Sequence, residues 1–124
     1  MKAEELARYD GLGLAELVRR REVSATELLD ASSARVEALN PEINAVGTRL
    51  YDQARAAIAA GLPSGPFTGV PYLLKDLGAH YAGAVTSYGS VLFKDFAGPV
   101  SAAQTDAIMR VEQVLGEHLE RLSP

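Results

Sequence analysis

A chain of 124 residues fits one domain and is long enough to bury somewhere near two-thirds of its unfolded surface. With 48% hydrophobic and 23% charged residues, it is too apolar for a disordered tail. The formal net charge is -4 and there are no cysteines. This balance argues against nucleic acid or an anionic membrane as a partner, and excludes a disulfide framework, a thiolate nucleophile and a zinc knuckle. The start "MKAEELARYDG" has no apolar core of a signal peptide. No apolar run approaches the roughly 18 residues of a membrane helix, so the expected compartment is the cytoplasm.

Taken in order, Asp10 can cap a short helix to about Arg21, with Leu14, Leu17 and Val18 on its inner face. Arg19, Arg20 and Arg21 fall at its end, where positive charge offsets the helix dipole. "SATE" at 24–27 has the form of a capping box. The helix it opens carries Leu28, Leu29, Ser32, Val36 and Leu39 along one stripe. Asn40–Pro41 is expected to stop it, since the residue before proline is pushed out of helical geometry.

"INAV" at 43–46 reads as a short strand, and an alanine-rich helix then runs from about Arg49 to Ala60, ended by Gly61. "LPSGPFTG" is loop. "VPYLL" at 70–74 reads as a strand covered on both faces, with Pro71 marking an edge or the strand's beginning. Lys75 and Asp76 stand at its far end. Position alone supports two readings of Lys75, a solvated strand-end lysine or a lysine driven into a site. Beyond Gly78 come a loop rich in small residues, a short apolar "VLF", a linker around "AGPVSAAQ", and a last amphipathic helix to about Leu122. Four helices and two or three short strands make a helix-rich α/β pattern whose sheet is too thin to cover its own central strand.

This order of parts resembles the N-terminal layer of the amidase signature family, serine hydrolases that cleave linear amides. The resemblance rests on "LNPEINAV" at 39–46, "GPFTGVPYLLKDL" at 65–77 and "TSYGS" at 86–90, and covers roughly residues 8–93. "VPYLLKD" is close to the bacterial amidases related to the nylon-oligomer hydrolases. The resemblance implies an α/β fold with a small, incomplete mixed sheet. It also implies an organisation of 1–93 as the amidase-like segment, 94–105 as a linker or deletion junction, and 106–124 as a C-terminal helix.

By the same resemblance Lys75 is the catalytic lysine of a Ser–cis-Ser–Lys triad, working without metal or organic cofactor. A lysine accepts a proton only when neutral, and its reference pKa of about 10.4 leaves it charged at neutral pH. Burial at a strand end would lower that value and make Lys75 a general base for the bridging serine. Asp76 would oppose this if it pointed at the ammonium, so it is expected to face elsewhere as a structural acceptor.

The family's "GGSSGG"-like nucleophile segment and "GKTN"-like loop have no counterpart in these residues. Ser87 and Ser90 lack the glycines that free backbone N–H groups for an oxyanion, and read as loop polar groups. His80 and His118 give no metal-site spacing. The expectation is a truncated amidase relative, inactive as an isolated chain. The alternatives are one half of a split amidase completed by a second chain, or a small α/β interaction module. A small-molecule amide would be a ligand only once the chain is completed, and self-association or a second chain is the expected protein partner.

Overall fold

The computed structural model describes residues 1–2, 4–77 and 81–97. These divide into two compact units, one ending at Pro71 and one beginning at Tyr72. Among the described residues there are three α-helices, two short 3-10 turns and no strand.

In the first unit α1 spans Gly11–Arg19, α2 Ala25–Ile43 and α3 Tyr51–Ala60. The local signals act as expected at the starts of α1 and α2. The Asp10 carboxylate accepts the Gly13 N–H at 2.7 Å, satisfying one of the orphan donors of the first turn. At α2 the Ser24 hydroxyl accepts from the Glu27 N–H at 3.2 Å, while the Glu27 carboxylate accepts the Ser24 N–H at 2.9 Å. This reciprocal capping satisfies two orphan donors at once. In the last turn of α1, the Glu16 carboxylate takes hydrogen bonds from Arg19 and, at 2.6 Å, from the C-cap residue Arg20. Two of the three arginines, Arg19 and Arg20, are thus paired with one carboxylate on the helix surface.

The core is small. Leu28 is fully buried at 0% exposure and packs with Leu6 and Ala31; Met1, Leu14, Val18 and Val23 close around them. The apolar stripe of α2 is buried at its start and reaches the surface by Leu39. Exposed polar contacts join α2 to the segment entering α3 and to α3 itself: Glu37 accepts from Arg49 at 2.7 Å and Tyr51 at 2.8 Å, and Asp30 pairs with Arg55 at 2.7 Å.

Two expectations are corrected here. Helix α2 does not stop at Asn40 but passes through Pro41 to Ile43. Proline removes one amide donor near the helix end, and two contacts offset that loss. The Asn44 N–H reaches the Asn40 carbonyl at 2.7 Å, with Asn44 itself in the left-handed conformation that ends helices (φ 48°). The buried Asn40 side chain then clamps Val46, donating to its carbonyl at 2.9 Å and accepting its N–H at 2.8 Å. That clamp occupies the residues read as the strand "INAV", and they form a capped helix end instead.

The expected mixed sheet is likewise absent among the described residues, which are helix-rich. "VPYLL" at 70–74 is not a strand, and Tyr72 and Leu73 are exposed. A strand needs a neighbour to take its N–H and C=O groups, and no described segment lies in register to do so. The expected helix at 106–122 and most of the 94–105 linker lie outside the described residues.

Candidate functional site

The block at 65–77 starts as a double turn in the first unit. Thr68 N–H donates to the Gly65 carbonyl at 3.2 Å and Val70 N–H to the Phe67 carbonyl at 3.0 Å. The Thr68 hydroxyl ties the turns together: it accepts the Gly65 N–H at 2.7 Å and lies 2.9 Å from the Pro63 and Gly65 carbonyls. Pro66 presets the first turn. Gly69, at φ 84°, supplies the positive angle the second requires. A Cβ on Gly69 would lie 3.0 Å from Val18 Cγ1 and 3.2 Å from the Ala25 Cβ. The glycine is therefore needed twice, for its backbone angle and for the close seat of this turn on α1 and the start of α2.

In the second unit the chain reaches Lys75 and Asp76. Lys75 is exposed rather than buried. The burial expected of it depended on a strand covered on both faces, and residues 70–74 are not in a sheet here. Asp76 behaves as the sequence suggests, facing away as a structural acceptor. Its Oδ1 accepts the Ser87 N–H at 2.9 Å and its Oδ2 the Ser87 hydroxyl at 2.6 Å. The Ser87 hydroxyl foremost, with the backbone N–H groups of Ser87, Gly89 and Tyr88, holds the Asp76 carboxyl below its ordinary value of 3.8.

The receiving loop is a tight turn. Ser90 N–H donates to the Ser87 carbonyl at 2.9 Å, and Tyr88 and Gly89 have φ of 53° and 67°, the signature of a type I′ turn. Thr86 is buried and its N–H donates to the Phe96 carbonyl at 3.0 Å. Tyr88, Phe93 and Phe96 meet edge to face, with ring centroids 6.1 and 5.8 Å apart. The "VLF" piece is a 3-10 turn over Val91–Phe93, capped by the Ser90 hydroxyl accepting the Leu92 N–H at 3.2 Å. Both serines are thus occupied as loop acceptors and donors.

Sequence reasoning identified Lys75, Asp76, Ser87 and Ser90 individually. It missed that Asp76 and Ser87, eleven residues apart, are joined. The available signal was "SYGS", whose glycine permits a turn able to aim several N–H groups at one carboxylate. His80 and His118 lie outside the described residues. Among those described, no group of three or more His, Asp or Glu side chains is placed to hold a metal. No described helix is long and apolar enough to cross a membrane.

The amidase family model matches residues 27–114. The chain belongs to the amidase family. It is 59% identical over 68 residues to a 6-aminohexanoate-cyclic-dimer hydrolase of Pseudomonas sp. (strain NK87), covering 55% of this chain and 13% of that protein. The same figures hold for the enzyme of that name from Paenarthrobacter ureafaciens. It is 39% identical over 99 residues to a glutamyl-tRNA(Gln) amidotransferase subunit of Granulibacter bethesdensis, covering 75% of this chain and 20% of that one. The chain therefore spans about a fifth or less of the length of these relatives. No solved structure matches it.

Proposed function

We propose that these residues form the lysine-bearing part of a linear-amide hydrolase in which Lys75 is the general base. The observation that carries this reading is "GPFTGVPYLLKDL", complete and correctly spaced within the family match. In its neutral form Lys75 would take the proton of a bridging serine. That serine would in turn deprotonate the nucleophilic serine, whose oxygen attacks the carboxamide carbon. The relay returns its proton to the departing amine, and water then hydrolyses the acyl-serine to release the acid and the free serine, with no metal or organic cofactor required.

Neither serine-bearing segment occurs in these 124 residues. We therefore read the 124 residues alone as silent, with activity requiring further segments from the same or a second chain. Residues 70–75 would join a mixed sheet built with those segments, which would bury Lys75 and lower its proton affinity. The exposure of Leu73 and Leu77, at 69% and 65%, supports a surface built to be covered. The proposal includes a carboxamide as the substrate class, a cytoplasmic setting, and no role for nucleic acid or membrane.

The test is complementation. The chain is co-expressed with a cyclic-dimer hydrolase polypeptide lacking the corresponding segment, and amine release from a linear carboxamide is measured. The wild-type chain should restore turnover, and Lys75→Ala should lower it at least about a hundredfold, the scale of general-base catalysis. Unchanged turnover in Lys75→Ala would remove Lys75 from the mechanism. The exposed apolar side chains also fit the second reading, an interaction module. A discrete, cooperatively melting species that binds no hydrophobic dye, together with failed complementation, would favour it.

A further inference from the structure

We infer that Asp76 is a positioning residue for Lys75, its carboxylate committed to the Ser87–Gly89 turn so that the backbone carrying the lysine is fixed and the adjacent negative charge is kept off the ammonium. This rests on the reading of Lys75 as the base. Three observations carry it. Both Asp76 oxygens are taken by Ser87, at 2.9 and 2.6 Å. The turn that receives them has consecutive positive φ angles at Tyr88 and Gly89, a conformation that gathers successive N–H groups around an anion. Lys75 makes no ion pair within 4.0 Å among the described residues, although its sequence neighbour is a carboxylate.

The Ser87 hydroxyl donates to Asp76 and accepts the Gly89 N–H at 3.2 Å, so one serine links the carboxylate to the turn. A carboxylate stabilised by this many donors is a weak base, which sets the pair apart from a catalytic Asp–Ser dyad. The geometry answers an electrostatic problem. A lysine that must lose its proton is hindered by an unsatisfied carboxylate one residue away, and the turn satisfies that carboxylate. The other described ionisable groups of this unit do not supply a substitute. Lys94 and Asp95 pair with each other at 3.9 Å, and the rest are the phenols of Tyr72, Tyr81 and Tyr88.

The first test uses the 124-residue chain, with NMR titration of the Ser87, Tyr88 and Gly89 amides and of the Lys75 side chain. In the wild type the three amides should respond to one carboxylate midpoint below that of an ordinary aspartate. Asp76→Asn should abolish that response while changing the Lys75 proton affinity less than about twofold. Amides blind to the titration, or a tenfold drop in Lys75 proton affinity in Asp76→Asn, would overturn the inference, the latter by revealing a Lys75–Asp76 pair.

In the complemented enzyme, Asp76→Asn and Ser87→Ala should each lower kcat per active site about tenfold or more. The acid limb of the pH profile should stay in place, and the double variant should fall little further than either single one. An acid limb moved to lower pH, or unchanged kcat, would equally sink the idea. The two readings fail separately: an active Lys75→Ala enzyme removes the base, whereas a missing amide titration removes the Asp76 contact and leaves the base intact.

Discussion

Gly69→Ala is a demanding test of how the turn before Val70 meets the helices, because its cost separates into two parts. The first is the backbone. At φ 84° an alanine would be held in a left-handed conformation, at a cost of about 1–2 kcal/mol. The second is space. The new Cβ would lie 3.0 Å from Val18 Cγ1 and 3.2 Å from the Ala25 Cβ, inside ordinary van der Waals contact. Overpacking of this kind costs about 1–3 kcal/mol. The sum is about 2–5 kcal/mol, to be read from urea unfolding followed by far-UV circular dichroism.

The parts can be told apart in a Val18→Ala background, where the nearest obstructing methyl is gone. There Gly69→Ala should cost at least about 1 kcal/mol less, because the backbone part persists while much of the packing part is relieved. Equal costs in the two backgrounds would refute the seat of the turn on α1. A cost near zero in both would refute the turn conformation itself.

Leu28→Ala should destabilise the helical unit by about 2–5 kcal/mol, since Leu28 is fully buried at the centre of a core with few other members; the same urea titration measures it. Stability should also depend on acid pH. Glu16, Glu27 and Glu37 are each held below 4.5, foremost by hydrogen bonds from Arg20, the Ser24 backbone and Arg49 respectively. Carboxyls lowered in the folded state contribute above the unfolded value and lose that contribution as pH falls through the folded one. The thermal midpoint should therefore decline below about pH 4.5. Glu27→Gln, which keeps the capping geometry without the titration, should flatten part of that decline. An unchanged pH profile in Glu27→Gln would count against its capping charge.

The sequence was most readable where a signal and its partner lie within one turn of helix. Asp10 with Gly13, and Ser24 with Glu27, need only three residues of chain to meet. Gly61 ends α3 in a backbone conformation with φ 96° that other residues avoid. The role proposed for Lys75 follows from the resemblance of its whole block to the amidase family, whereas the orientation of Asp76 away from the ammonium follows from electrostatics alone.

What the residues alone determined, then, is the helical layer, its caps and the family to which the chain belongs, because these depend on short-range chemistry and on a specific order of residue types. Tertiary structure decided the rest. Pro41 reads as a stop, yet the Asn40 clamp on Val46 and the left-handed Asn44 carry the helix past it. Gly69 reads as the end of a loop, yet only the approach of Val18 and Ala25 shows that its missing side chain is also needed for packing. An apolar run at 70–74 reads as a strand, yet a strand exists only with a neighbour to share its hydrogen bonds, and no described segment provides one. Asp76 meets Ser87 because a turn brings N–H donors to it from eleven residues away, a contact that no local pattern encodes.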